Sequence, residues 1–335
     1  SKWVFKKPDR KKILIYDGVG SELILKYVYR SDCEIYYNRG ESVNLYVLFY
    51  SIYKNGIYNL KKYYKKSFFN FVKPKIVITF IDNNPAFYKL KKEFPKIIFL
   101  SIQNGVRNKQ DFIDIQKKNE TNLVSDYILT FSENYSQKYA KFIKAKFIPI
   151  GSFKLNLLNL DCNEKKDILF ISKHKYPGVP FNEHKIIDFL IKYCKGKKIN
   201  LDICFKTDLR KIFGTIFKKQ YNKINFKFSK AKNYSYHLLK DYKLIFFTDS
   251  TLGYEALALG KKAVSCSYGS MKNMEWIRKN NISRPLTKFG HPEKFKNKGF
   301  FWTNYFDKSE LKKILNRTFQ MSNKIWRKKN KKIFD

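Results

Sequence analysis

Glycine and proline are scarce, at 14 and 9 of 335 residues, while 44% of the chain is hydrophobic. That balance supports folded cores and excludes a disordered chain. Acid is also scarce, with 28 Asp and Glu against 69 Lys and Arg, a formal net charge of +41. Such an excess points to a polyanionic partner. The lysines are spread along the whole chain, and no arginine-rich stretch, zinc motif or RNP-like segment accompanies them. Nucleic-acid binding is therefore disfavoured as the main function, and an anionic membrane surface fits better. The five cysteines, Cys33, Cys162, Cys194, Cys204 and Cys266, are odd in number and scattered, without C-x-x-C. They read as free thiols of a reducing compartment, and no zinc site is expected. No run has the length of a membrane helix and no signal peptide opens the chain. The expected location is cytoplasmic, peripheral at the inner face of the membrane. Aromatic content is high at 18%. An A/T-biased coding composition would raise Lys, Tyr, Phe, Ile and Asn together, so no single lysine or tyrosine is informative alone.

The most informative stretch is Leu244 to Cys266, LIFFTDSTLGYEALALGKKAVSC. Leu244 to Phe247 has the size and apolarity of a buried strand. Thr248-Asp249-Ser250-Thr251 is a polar turn with helix-capping residues. Leu252 to Leu259 reads as a helix closed by Gly260, and Ala263 to Cys266 as a second strand. The whole is a strand–turn–helix–strand unit of a parallel sheet. Ser250 and Thr251 place two hydroxyls at a helix N-terminus, which favours phosphate. Gly253 is expected to leave room for a ligand. Glu255, one turn after Thr251, could accept two hydrogen bonds from a ribose diol. The alternative is an ordinary capped helix with a solvated Glu255.

This D-S-T-x-G-Y-E-A-L-A-L-G-K pattern between two strands resembles the donor-nucleotide motif of GT-B glycosyltransferases, including the lysine-rich turn at Lys261 and Lys262. The resemblance implies an α/β fold of two Rossmann-like doubly wound domains facing across a cleft. Residues 1–150 would form an acceptor-binding domain. Residues 151–335 would bind a nucleotide-sugar, with the last helix returning to the first domain. It also implies catalysis without bound metal or other cofactor, consistent with the lack of a D-x-D motif.

Taken in order, Trp3 to Pro8 reads as a surface lead-in and Ile13 to Tyr16 as a first buried strand. Asp17-Gly18-Val19-Gly20-Ser21 follows, then a helical pattern from Glu22 to Tyr29. The full G-x-G-x-x-G is missing. In GT-B enzymes the equivalent turn faces the interdomain cleft, which makes Gly18 an acceptor-binding candidate; the alternative is a tight turn that merely needs glycine. Two later strands, Lys75 to Ile81 and Lys96 to Ser101, end in I-D-N-N and I-Q-N-G-x-R. Parallel alignment would bring both loops to one sheet edge, where α/β folds place their sites. Asp82 could then act as a general base on a sugar hydroxyl, with Asp17 and Glu22 as rivals. Asn83, Gln103 and Asn104 could hold sugar or phosphate oxygens, and Arg107 could pair with an anion. Alternatively these residues terminate strands, and Asp82 caps the next helix. F-I-D-N-N-x-x-F-Y-x-L-x-x-x-F-P followed by S-I-Q-N-G-x-R also resembles a bacterial surface-carbohydrate biosynthesis family.

Strand–helix alternation restarts at Asp167 after a linker over 155–164. Ser172-Lys173-His174-Lys175 follows the first strand of the second half. Lys173 or His174 could neutralise a donor diphosphate there, or the turn is simply basic and solvated. A helix is expected over 269–281. His291-Pro292 is similar to the CMP-binding H-P motif of sialyl- and Kdo-transferases, but its place after the phosphate helix favours a surface turn. Ser309 to Lys328 reads as one long amphipathic helix. The expected activity is sugar transfer from a nucleotide-sugar to a surface-glycan acceptor, free or lipid-linked. Polyol-phosphate transfer of the teichoic-acid type, and a non-catalytic basic protein binding nucleic acid or anionic lipid, are the alternatives.

Overall fold

The computed structural model describes residues 2–107, 123–157, 164–172, 183–205, 225–228, 234–267, 288–290 and 295–334. Lys173, His174, Cys162, the expected helix over 269–281 and the His291-Pro292 pair lie outside them. The chain forms two compact units. The first holds the described residues up to Gly105 and 123–157, and the second holds 106–107 and the described residues from 164 onward.

The first unit is built on a six-stranded parallel sheet of β2 (Ile13–Tyr16), β3 (Cys33–Tyr36), β5 (Ile76–Thr79), β6 (Ile98–Ile102), β7 (Leu123–Thr130) and β8 (Ile143–Pro149). The spatial order is β3-β2-β5-β6-β7-β8. The order reverses between β2 and β5, so the carboxyl ends of these two strands flank the crevice where such sheets bind ligands. The helices are α1 (Ser21–Ile24), α2 (Leu45–Asn55), α3 (Leu60–Val72), α4 (Pro85–Glu93) and α5 (Glu133–Ala140). Asn44 caps α2 by accepting from the Val47 N–H, and Ser132 caps α5 through Tyr135. Asn84, not Asp82, caps α4, through the Ala86 N–H. The expected helix from Glu22 to Tyr29 shortens to α1. Its start, Gly20, is left-handed (φ 77°) and supplies no side-chain cap. After Leu25 the hydrogen bonds tighten to three-residue spacing, Lys26 to Leu23 and Tyr27 to Ile24. The N-terminal lead-in is in fact a strand, β1 (Lys2–Val4), paired in parallel with β4 (Ser42–Asn44).

The second unit is a separate six-stranded sheet: β9 (Lys166–Ile171), β10 (Leu201–Phe205), β11 (Asn225–Phe228), β12 (Tyr242–Phe247), β13 (Ala263–Cys266) and β14 (Trp302–Thr303). Its order is β11-β10-β9-β12-β13-β14, all pairs parallel. The reversal here falls between β9 and β12, the doubly wound order of dinucleotide-binding folds. Helices α6 (His184–Lys197), α7 (Tyr234–Asp241), α8 (Thr251–Ala258), α9 (Lys308–Gln320) and α10 (Asn323–Phe334) cover the faces. The continuous apolar runs explain this packing. Ile168, Phe170, Leu244 and Phe246 point to one face, against Ile186, Leu190, Leu311 and Ile314. Leu169, Ile171, Ile245 and Phe247 point to the other, against Leu239, Ala256, Leu257 and Trp326. A strand buried on both sides has no reason to alternate polar and apolar residues.

The long C-terminal helix predicted from sequence is two helices. Met321 is extended (φ −70°, ψ 138°) and Ser322 restarts the helix by accepting from the Ile325 N–H. The second of these helices, α10, is bonded to the second unit. Buried Trp326 donates from its indole to the Lys261 carbonyl (2.9 Å), and Asn330 donates to the Leu257 carbonyl (2.6 Å).

Candidate functional site

In the second unit, the strand-order reversal brings the ends of β9 and β12 side by side. Ser172 follows β9, and Thr248-Asp249-Ser250 leads from β12 into α8. Phe247, the last residue of β12, packs into the core and fixes where the turn begins. Beneath the turn lies a buried carboxylate that sequence reasoning missed. Glu183 accepts from the Thr248 hydroxyl at 2.7 Å and from the Ser172 hydroxyl. The Thr248 carbonyl accepts in turn from Ser265 (3.3 Å), in β13, and from Ser267 (3.1 Å), just beyond its end. This network of hydroxyls around one anion ties three strand ends together and sets the turn's course. Glu183 stands 65 positions from Thr248, so no local pattern could have paired them.

Ser250 is the N-cap residue of α8, with extended backbone (φ −111°, ψ 132°) and no capping bond from its side chain. Its carbonyl accepts from the Gly253 N–H (2.9 Å), so the first turn is formed while the hydroxyl is not used to cap it. Thr251 is half-buried, and its hydroxyl accepts from the Val106 N–H at 3.1 Å. First-turn amides have no acceptor within the helix, and the dipole makes this end positive. Ser250 and Thr251 thus stand where the sequence placed them, at an end suited to phosphate.

Glu255 is not solvated. It is 3% exposed and accepts from the Tyr236 hydroxyl at 2.8 Å. Burial, then the charge of Glu255 and the hydrogen bond to it, push the Tyr236 pKa far up, so Tyr236 remains a donor. A buried carboxylate held by a neutral donor is fixed in place before any ligand arrives. Gly253 needs correction. A Cβ there would lie 2.2 Å from the Phe247 ring. The glycine lets α8 pack closely on β12; it does not open the turn to a ligand. Lys261 is likewise structural, 3% exposed and paired with Glu164 at 2.7 Å.

In the first unit, β2 and β5 end in the two acidic turns. Asp17 follows β2 at φ 90°, a left-handed conformation uncommon for a non-glycine residue. Its carboxylate accepts from the Val19 N–H (3.1 Å) and from Arg39 Nε (2.8 Å). Both bonds hold the strained turn. Asp82 is 0% exposed. Its Oδ1 accepts from the Asn104 N–H (3.0 Å), its Oδ2 from the Tyr139 hydroxyl, and its carbonyl from the Tyr88 hydroxyl (2.6 Å). The I-D-N-N and I-Q-N-G loops therefore do come together, through Asp82 itself. This enclosed carboxylate joins loops; as placed, it presents no open face to a sugar hydroxyl.

Gln103 is also internal: its side chain donates to the Gly105 carbonyl (3.0 Å) and accepts from the Phe131 N–H (2.8 Å). Asn104 is half-buried, and its carbonyl accepts from Lys154 (3.2 Å). Asn83 is half-buried with no side-chain hydrogen bond among the described residues. Arg107 is buried, and falls within the second unit. Gly18 packs under Tyr37, whose ring a Cβ would meet at 2.7 Å. Its role is close packing, not ligand approach.

Two units, each a six-stranded parallel sheet with the reversals described, define the GT-B class. Solved structures share this fold. The wall teichoic acid polymerase TagF aligns with a TM-score of 0.56 at 12% identity, over 98% of this chain and 84% of its own. The Methanocaldococcus jannaschii UDP-GlcNAc 2-epimerase, solved with UDP-GlcNAc and UDP, aligns with a TM-score of 0.54 at 14% identity, over 96% of this chain and 94% of its own. The family model described as "putative O-antigen biosynthesis protein" matches residues 100–185 and 176–335, well over half the chain, and the protein belongs to that family. No curated protein matches it by sequence.

Proposed function

We propose that the protein is a glycosyltransferase of surface-polysaccharide assembly, moving a sugar from a nucleotide-sugar to a glycan acceptor carried on a lipid at the cytoplasmic membrane face. The observation that carries this reading is the β12–α8 turn at the reversal of the second sheet. There, two hydroxyls and a helix N-terminus lie one turn from the pre-positioned carboxylate of Glu255. In this reading Ser250 and Thr251 hold the donor phosphates and Glu255 the ribose diol, while Lys173 and His174, which follow β9 in the sequence, neutralise the diphosphate. The helix dipole and basic side chains stabilise the leaving diphosphate without metal. The acceptor lies on the first unit, with Asn83 and Asn104 as its polar contacts. Asp82 acts as a positioning residue that joins their loops.

The test is a thermal-shift panel of UDP, GDP, CDP, CMP and dTDP on the full chain. A ligand at about a hundred times its dissociation constant adds about 2.7 kcal/mol. A clear rise in Tm with one or two of them is expected, and no rise with any would reject a donor site. The corresponding labelled donors then separate the chemistries. Transfer of sugar supports the proposal, transfer of glycerol phosphate from CDP-glycerol would make it a polyol-phosphate transferase, and conversion of the sugar without an acceptor would make it an epimerase.

A further inference from the structure

Helix α2 has an outer face that ordinary solubility does not explain. Tyr46, Phe49, Tyr50 and Tyr53 recur at helical spacing along it and are all exposed, Phe49 at 63% and Tyr53 at 83%. Ile57 (78%) and Tyr58 (80%) continue this exposed apolar run just past the helix end. On the opposite side Val47 and Ser51 are fully buried, so the helix is anchored and its aromatic stripe faces outward. Strand β1 packs beside α2 and carries Trp3, and Phe5 follows it; both are exposed. Eight of the fourteen large exposed hydrophobic side chains among the described residues thus come from β1 and the residue after it, α2 and the turn that follows α2. Lone exposed apolar residues are ordinary, but a concentration of this kind marks an interaction surface.

Along α2 and α3 the charged side chains are of one sign. Between Glu41 and Asp82 the chain holds seven lysines and no acid. Lys54 lies over the Tyr53 ring at 5.7 Å, and Lys7 over the Phe71 ring at 5.2 Å. Tyr46 and Tyr50 meet that same Phe71 ring edge-on. Lys61, Lys62 and Lys66 are exposed on α3, which packs against α2. Tyrosine and tryptophan favour the boundary between acyl chains and headgroups, where the ring is buried and the polar tip stays wet. Lysines beside them extend to lipid phosphates.

We infer that the aromatic face of α2, with the turn at Ile57 and Tyr58 and the lysines of α3, is the surface by which this protein lies on an anionic phospholipid bilayer. The helix sits in the plane of the interface and does not cross it. No described helix is long and apolar enough to span a membrane. Charge complementarity selects the anionic bilayer over an apolar protein groove. The inference stands apart from the donor-site reading, since lipid binding requires no catalysis.

The test is co-sedimentation of the full chain with sucrose-loaded vesicles, either pure phosphatidylcholine or containing phosphatidylglycerol. Binding is expected to the anionic vesicles and to be much weaker to the neutral ones. The triple variant Phe49→Ser, Tyr53→Ser, Ile57→Ser changes only exposed side chains and should keep the parent Tm. It should lower the partition coefficient about tenfold or more, because three apolar groups leave the interface. A charge control, Lys192→Glu, Lys195→Glu and Lys197→Glu on α6 of the second unit, lowers the diffuse positive charge away from the aromatic face and should bind nearly as the parent does. If the control loses as much binding as the stripe variant, or if the stripe variant pellets like the parent, diffuse charge is responsible and the inference fails. Concentration-dependent self-association that the stripe variant abolishes, without vesicle binding by the parent, would assign the face to a second copy and also overturn it.

Discussion

Replacing Glu255 by glutamine removes one negative charge and leaves the side chain's size unchanged. The structure makes this a clean perturbation. Glu255 is buried on α8 and accepts from Tyr236, and the glutamine carbonyl can still accept from that hydroxyl. The fold is therefore expected to keep most of its stability. A hydrogen bond to a charged acceptor contributes about 1.5–3 kcal/mol. At about 1.4 kcal/mol per tenfold, the loss of charge should weaken nucleotide affinity roughly 10- to 150-fold. Isothermal titration with the nucleotide that binds best in the panel measures this directly, with the Tm of the free variant as the folding control. Glu255→Ala should weaken binding at least as much but would also leave the half-buried Tyr236 hydroxyl without this acceptor, so its loss of stability should be larger. Unchanged affinity in a folded Glu255→Gln protein would refute the role given to this carboxylate, and with it the orientation of the nucleotide on α8.

Asp82→Ala would remove the carboxylate that accepts from the Asn104 N–H and the Tyr139 hydroxyl; a loss of about 2–4 kcal/mol in chemical denaturation is expected from losing both hydrogen bonds, and a variant as stable as the parent would reject the positioning role. Asp82→Asn separates that role from general-base catalysis: a turnover loss of about 10²–10⁴ with stability and donor binding intact would restore the base. Gly253→Ala should cost about 1–3 kcal/mol through overpacking against Phe247, with Phe247→Leu in the same chain recovering part of it. Burial alone would raise the Asp167 pKa, but the Asn200 N–H and Lys243 outweigh it and hold the group below its ordinary value. Its contribution to stability is therefore complete above the unfolded-state pKa of about 4 and is lost as pH falls through the lower folded value. Parent and Asp167→Asn should differ in denaturation midpoint at neutral pH and converge in strong acid.

Local chemistry made part of this protein legible. ILFI and LIFF are too short and too uniformly apolar for anything but strands buried on both faces, and the turn at Ser250 and Thr251 lies where its capping residues and the following helical pattern put it. The same reading failed where the signal was equally local but ambiguous. The stretch after Gly20 has helical spacing yet forms a single turn, and the C-terminal helix breaks at Ser322, which caps as readily as it continues.

By itself, then, the sequence determined the alternation of strand and helix, the restart after Asp167 and the place of the polar turn between β12 and α8, because each depends on residues within a few positions of one another. Tertiary structure alone decided what the polar residues do. Asp82 became an internal tie because Tyr139, 57 positions away, reaches its carboxylate. Glu255 is buried and held because α7 delivers Tyr236, and Gly253 and Gly18 serve packing because aromatic rings occupy the space beside them. Burial and long-range hydrogen bonding depend on which elements the sheet order sets side by side, and that order is a property of the whole chain.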